Sequence, residues 1–452
     1  MSTPSSDPRI AGLRAALAQH PDAIEALSQL VDLHVARLEW DEAIAACDRA
    51  LAHAPEHVGA KYKKSFVLAM RGDLEPAADL MHEVVVAMPT YAPAWRNLGA
   101  IATWRNDMAG AVQSYRRALS LQADDMDAEA GMAQAMLAMR DFGNGWEHYE
   151  ARALGVHALA KRGAIPAPWR GQALSGALIV HGEGGFGDVI QFARLAALAR
   201  RRVGRLVLFL RDYYAPLVEV LSTLEGVDAI ASDREAFRDA QAAISVMSLP
   251  YALGRLPLDV APTPVPYLRS DPQRRERWCA RLAPDRGLRV GLVWAGDPRS
   301  NLLEHRTMDR RRSIALSALR PLLDVAGVSW HSLQKGEAAK ELAGFEGRTS
   351  IVDHAHELGD FADTAALVDE LDLVVSVDTA VVHLAGALGK PVWLLNRFDS
   401  CWRWGTSGER AAWYPAMRIF RQVRFGAWEP VIHHVANKLG QRVQHRRASS
   451  GP

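Results

Sequence analysis

Cysteine is scarce in this chain. The three present, Cys47, Cys279 and Cys401, lie far apart and show no C-x-x-C or Cys/His ligand spacing. That pattern excludes a disulfide framework and a zinc-ribbon site, and it fits a reducing cytoplasm. An excess of one charge is also lacking. Lys and Arg number 53 against 52 Asp and Glu, a net charge of +1, so no global field draws the chain toward nucleic acid or an anionic membrane. No apolar run approaches the ~18 residues of a membrane span. Even the greasy stretch 371–388 is interrupted by Asp372, Asp378 and His383. The opening MSTPSSDPRIAGLRAALAQHPD lacks the uninterrupted apolar core of a signal peptide. What remains is 452 residues with 49% hydrophobic content, enough for true cores and for about three domains at ~150 residues each.

The first third is periodic. Pro21, Pro55 and Pro89 stand 34 residues apart, as do Ala43, Ala77 and Ala111. The acids Glu39, Asp73, Asp107 and Asp141 recur in the same register, where the two helices of each repeat turn. Thirty-four residues is the tetratricopeptide length. The stretch APAWRNLGAIATWRNDMAGAVQSYRRALSLQA is the clearest copy, with Trp95, Leu98, Gly99, Ala111, Tyr115 and Ala118 at the pattern positions. One hairpin cannot bury its own apolar face, so about four stacked repeats are expected over 22–155, after a partial helix at 8–20. The fourth decays, with Gly145 in place of alanine. Such an array reads either as a groove for a partner protein or as a packing or dimerisation surface.

After the turn-rich stretch 162–176 the pattern changes. ALIVHG, RLVLFLR, AAISVMSL, RVGLVWAG, VSWHSLQ, LVVSVD and PVWLLN are short aliphatic runs separated by helix-length segments. Such runs predict parallel strands buried on both faces. Five prolines between 261 and 287 read as a linker, so two Rossmann-like halves are expected, 161–270 and 271–440, behind an array at 1–160. The last residues, 441–452, read as a frayed basic tail.

Gly182, Gly184 and Gly187 spell G-x-G-x-x-G after the first run. This could be a dinucleotide cradle, since Asp212 follows at nearly the required distance, or simply a tight strand-to-helix turn. Asp188 argues against the cradle, because a pyrophosphate at that helix start would meet like charge. A carboxylate there suits proton abstraction. A second loaded strand end, LVVSVDTAVVHLAGALGKPVWLL, gathers Asp378, Thr379 and His383 about a helix start, as a nucleotide diphosphate requires. The bland alternative makes Asp378 a helix cap and His383 a partly buried core residue.

Residues 169 to about 425 resemble the GT-B glycosyltransferases, and in particular bacterial tetratricopeptide–glycosyltransferase fusions related to the ADP-heptose:lipopolysaccharide heptosyltransferase family. The segments that carry the likeness are HGEGGFGDVIQFARLA, RVGLVWAGDP, RRRSIALSAL, SWHSLQKGE, FADTAALVDELDLVVSVDTAVVHLAGALGKPVWLL and CWRWGTSGERAAWYPAMRIFRQ. The resemblance implies a tetratricopeptide solenoid followed by a GT-B pair of Rossmann-like domains. It further implies a cytoplasmic enzyme that moves a sugar from a nucleotide-diphosphate or CMP sugar to an acceptor hydroxyl, with a protein such as flagellin, held by the array, as the candidate acceptor. Gly187 and Asp188 match the segment of the family's general base, Lys335 matches a phosphate-contacting lysine, and Asp378, Thr379 and His383 match D-T-G-x-x-H. Ala380 departs from that pattern, so the heptose donor is not carried over. No cofactor is implied, and the absence of a D-x-D motif in the donor half fits a leaving group met by amides and basic side chains instead of metal.

Arg312 and Ser313 read either as grips on phosphate or an acidic sugar or as part of a solvated helix face. Ser332, Gln334 and Trp294 sit at neighbouring strand ends where a base could lie, with a core role for Trp294 as the alternative. His354 and His356 have no third ligand in view and read as a surface loop. Trp402, Trp404, Trp413 and Tyr414 read as a wall beside the cleft or as a clasp on the terminal helix. A catalytically silent scaffold, and transfer to a polysaccharide or lipid-linked glycan, are the rival readings of the whole.

Overall fold

A computed structural model describes residues 7–153, 166–256, 264–298, 303–345 and 350–449. The array's expected end at residue 160, and parts of the two expected linkers, fall outside the described residues. The chain divides into two compact units, one of residues 1–139 with 299–307 and one of residues 140–298 with 308–452.

The first unit is a helical array. Helix α1 (Pro8–Gln19) precedes the hairpins α2–α3 (Ile24–Ala36, Trp40–His53), α4–α5 (Val58–Arg71, Leu74–Ala87) and α6–α7 (Ala92–Trp104, Met108–Leu121), and α8 (Met126–Ala138) follows. The 34-residue period is written into the backbone. Leu38, Gly72, Asn106 and Arg140 all have positive φ, each one residue before an acid that opens the next helix. That left-handed residue ends one helix and the acid begins the other. Packing follows the same alternation of small and large. A Cβ on Gly99 would lie 2.8 Å from the Tyr115 ring, and one on Gly131 2.5 Å from it, so the tyrosine is seated between two helices that only glycine lets approach. Ala43, Ala77, Ala111 and Ala118 are wholly buried.

The second unit holds two parallel sheets. The first has the order β3-β2-β1-β4, from β1 (Leu174–His181), β2 (Val203–Phe209), β3 (Ala229–Ala231) and β4 (Ala240–Ser245). The second has the order β10-β9-β8-β5-β6-β7, from β5 (Leu288–Val293), β6 (Val328–Ser332), β7 (Ile351–Asp353), β8 (Leu373–Val377), β9 (Val392–Asn396) and β10 (Met417–Arg421). Every strand pairing within the two sheets is parallel. Val290, Leu292, Val375, Val377 and Leu395 are fully or almost fully buried, each such side chain contributing about 1.5–3 kcal/mol. The order of the second sheet reverses at β5, so its crevice opens between the carboxyl ends of β5 and β8.

Two boundaries differ from the sequence reading. The helix Phe142–Tyr149, taken as part of the fourth repeat, belongs to the second unit. There Trp146 is fully buried, donates Nε1 to the Leu256 carbonyl at 3.0 Å and meets Trp402 edge-on at 5.5 Å. The described part of the expected tail, 441–449, is helix instead: Trp428–Ser449 runs unbroken, and its Val431, Ile432, Val435, Leu439 and Val443 pack into the core with Leu322 and Leu323. Its basic residues are the outer face of an amphipathic helix, and Arg442 and Arg446 reach Asp372. Among the described residues no helix is long and apolar enough to cross a membrane.

Candidate active site

The glycine loop after β1 leads into the helix Phe186–Ala193, whose N-cap is Gly185. Asp188 is the third residue of that helix and closes a capping box, accepting the Gly185 amide on Oδ2 at 2.7 Å. Its other oxygen, Oδ1, accepts from Arg403 Nη2 at 2.5 Å. Arg403 comes from the loop after β9, 215 residues on, so this ion pair joins the two halves of the unit. Burial opposes the charge on Arg403 more than any one neighbour favours it, but Asp188, Cys401 and Tyr149 together hold the guanidinium above its ordinary pKa.

The Asp378 strand end lies against the same place. A Cβ on Gly187 would fall 2.7 Å from His383 Cδ2 and 3.4 Å from Ala380 Cα. Gly187 is thus glycine because the helix Ala380–Ala387 begins there. The two strand ends meet at this contact, and Ala380, the departure from the family pattern, is part of it. His383 itself is fixed on both sides. Its ring stacks on Trp404 at 5.3 Å, and Nδ1 lies 3.0 Å from the Tyr414 hydroxyl. Tyr267 donates to the Ile190 carbonyl at 3.1 Å, and Tyr414 lies 3.5 Å from Tyr267, so the shorter path for the Tyr414 proton is into Nδ1. The imidazole then carries its own proton on Nε2, toward Gly187.

Burial pushes His383 down to about 4, with Arg403 adding to the effect and Asp378 opposing it. It is therefore a neutral donor at pH 7 and no cation for a phosphate. His331 is likewise pushed to about 4, by burial first and by His354 and Arg289 in addition, against the pull of Asp285. Unfolding frees both rings to take a proton near pH 6.5. The unfolded chain thus binds more protons between about pH 6.5 and 4, and stability that is full above pH 6.5 is lost as pH falls through that window. The melting temperature is expected to drop between pH 7 and 4.5, less steeply in His331→Asn. Parallel slopes in the two proteins would remove His331 as a cause.

The remaining residues named from sequence divide into two groups. Arg312 stands in the crevice, donating Nη1 to the Asp378 carbonyl at 3.2 Å and Nη2 to the Asp297 carbonyl at 3.3 Å, with Nε on Asp309 at 3.0 Å. It ties the ends of β5 and β8 together and is not a solvated face residue. Ser313 accepts the Gly296 amide at 3.0 Å in the same loop. Thr379 is the N-cap of the Ala380–Ala387 helix but makes no capping bond, its hydroxyl lying 3.2 Å from Ser376 Oγ. The first amides of that helix are therefore left without a side-chain cap.

Gln334, Ser332 and Trp294 belong elsewhere. Gln334 takes the Trp294 and Ala295 amides on Oε1 at 3.0 and 2.9 Å and gives Nε2 to the Ala295 and Lys335 carbonyls. All four bonding positions of its amide are used, so it clamps the β5 loop and has nothing left for a base. Ser332 is fully buried and accepts the Gln334 amide, and Trp294 is core. Lys335 is exposed, its ammonium on the Leu358 carbonyl.

The surface-loop reading of His354 is corrected. His354 is fully buried, with Nε2 3.1 Å from His331 Nδ1 and the Trp278 ring edge-on at 4.9 Å. His356 is exposed. Among the described residues no group of three or more His, Cys, Asp or Glu could hold a metal ion. The aromatic group does not clasp the terminal helix. Trp402 meets Trp146 and Phe192, Trp404 covers His383, and the Trp413 carbonyl accepts from buried Arg194 at 2.8 Å, so these rings bind the two halves beside the cleft.

Sequence reasoning missed Arg403, Glu183 and Arg152. Glu183 lies in the glycine loop, held by Ser245 and by Arg152 Nε at 3.0 Å. The glycine loop therefore carries a second paired carboxylate, and only its position between Gly182 and Gly184 signalled it.

Residues 330–411 match the profile of glycosyltransferase family 9 (heptosyltransferase). The chain is 28% identical over 443 residues to protein FlbA of Caulobacter vibrioides (strain ATCC 19089 / CIP 103742 / CB 15), covering 93% of this chain and 73% of that protein. Among solved structures it is similar to a family 9 glycosyl transferase of Veillonella parvula DSM 2008, at 10% identity and TM-score 0.43, over 61% of this chain and 98% of that one. It is also similar to MamA, at 16% identity and TM-score 0.31, over 34% of this chain and 89% of that one. The chain thus joins a helical array to a parallel-sheet unit with a family 9 match, which supports glycosyl transfer in general.

Proposed function

We propose that this protein transfers a sugar from a nucleotide-sugar donor to a hydroxyl group on a protein that the helical array presents. The observation that supports this most is the meeting of the Asp188 helix with the Asp378–His383 strand end at Gly187, beside the crevice of the second sheet. Asp188 takes the proton of the acceptor hydroxyl as its oxygen attacks the anomeric carbon. The bond from that carbon to the donor phosphate breaks, and the phosphate leaves with the electron pair. Its charge is met by the uncapped amides at Ala380, the Thr379 hydroxyl, Arg312 and the Nε2 proton of His383, with Lys335 at the rim. No metal enters this scheme. The likeness noted in sequence makes flagellin a candidate acceptor.

A silent scaffold is favoured by one fact, that both oxygens of Asp188 are already engaged. Each carboxylate oxygen keeps a second lone pair, however, so engagement orients the group without consuming it. Calorimetry of the full chain against nucleotide-diphosphate and CMP sugars separates the readings. The enzyme binds one of them, and no binding to any supports the scaffold. Removing residues 1–139, and no further because Trp146 is core to the second unit, is expected to stop transfer to protein while donor hydrolysis continues. Undiminished transfer to protein would end the presentation role of the array.

A further inference from the structure

Each of the three side-chain nitrogens of Arg403 has a partner. Its side chain is 10% exposed, and Asp188 is the only carboxylate within ion-pair distance of it among the described residues. Nη2 grips Asp188 Oδ1 at 2.5 Å while Nε donates to Gln191 Oε1 at 2.8 Å. Asp188 and Gln191 are three residues apart, on one face of the same helix, so the planar fork takes hold of that helix at two points. Nη1 reaches Cys401 Sγ at 3.3 Å, and the guanidinium carbon lies 4.5 Å from the Trp402 ring centre and 5.6 Å from that of Phe192. The next residue, Trp404, stacks on His383. One three-residue stretch, Trp402-Arg403-Trp404, therefore touches both the carboxylate and the imidazole of the candidate site.

A capping bond from Gly185 alone fixes one oxygen of Asp188 and leaves the carboxylate plane free to swing. A second bond on the other oxygen fixes the plane. We propose that Arg403 is a positioning residue, which orients the Asp188 carboxylate from across the cleft so that its remaining lone pairs face the acceptor hydroxyl. This rests on the reading of Asp188 as the base. Arg403 acts on the proton-transfer step and does not hold the donor, so its loss is read in kcat and not in donor KM.

The test uses the full chain with saturating acceptor. Arg403→Ala is expected to lower kcat about 100-fold, the cost of a reacting group misplaced by an ångström, with donor KM unchanged. Added guanidinium should restore part of that rate, because it can refill the space between Asp188 and Gln191. Arg403→Lys, which keeps the charge without the fork, should fall between the two. A kcat for Arg403→Ala equal to that of the parent would overturn the proposal. So would a rate that guanidinium and Arg403→Lys both fail to raise, since a purely structural role predicts that result. Asp188→Asn separates this from the functional reading. If that variant works at the parental rate, the base reading and the role of Arg403 fall together. If it is inactive while Arg403→Ala is unimpaired, only the role of Arg403 falls.

Discussion

Asparagine at position 188 is expected to slow sugar transfer about 10²–10⁴-fold while binding of the nucleotide sugar stays at the parental level. The substitution preserves shape. The amide oxygen can still accept the Gly185 N–H or the Arg403 guanidinium, but its nitrogen cannot accept from the other and cannot take a proton from an acceptor hydroxyl. Arg403 then loses its charged partner at a largely buried position, at a cost to stability of about 1–3 kcal/mol. Rates must accordingly be compared at a temperature where both proteins are folded. Transfer by the variant at parental rate would remove Asp188 as the base. Loss of nucleotide binding along with transfer would move Asp188 from proton abstraction to donor recognition.

The second large effect is expected at Gly187. Valine there puts its first carbon 2.7 Å from His383 Cδ2, well inside contact distance. Neither side can give way easily. The imidazole is stacked on Trp404 and bonded to Tyr414, and the Gly187 helix is tied by Asp188 to Arg403. Alanine gains up to about 1 kcal/mol over glycine in a helix and valine less, but overpacking costs about 1–3 kcal/mol, so the clash prevails. Gly187→Val is expected to lower the melting temperature and to abolish transfer, with Gly187→Ala milder in both. A more stable Gly187→Ala would mean that the two helices do not meet as closely in solution.

The sequence by itself determined the parts that repeat or alternate. A 34-residue spacing of proline, alanine and acid carried the array, because each hairpin must offer its neighbour the same small and large residues in the same order. Runs of Val, Ile and Leu carried seven of the ten strands, since strands covered on both faces tolerate little else. The strands it missed, β3, β7 and β10, lie at the edges of the sheets, two of them only three residues long. The placement of Asp188, Asp378 and His383 just past strand ends was legible, because their local spacing follows two aliphatic runs of a parallel sheet.

Tertiary structure alone decided what those groups touch. Arg403 is 215 residues from Asp188, and nothing in the spacing of either one names the other. Gln334 and Ser332 looked available at a strand end, yet every bonding position of the Gln334 amide turned out to be used by the backbone of the β5 loop. His354 looked like part of a surface loop and lies against His331. A period in the chain fixes which face of a helix or strand is apolar. Which polar side chains are left with a free donor or acceptor depends on partners brought together by folding, and that is where the candidate site took its geometry.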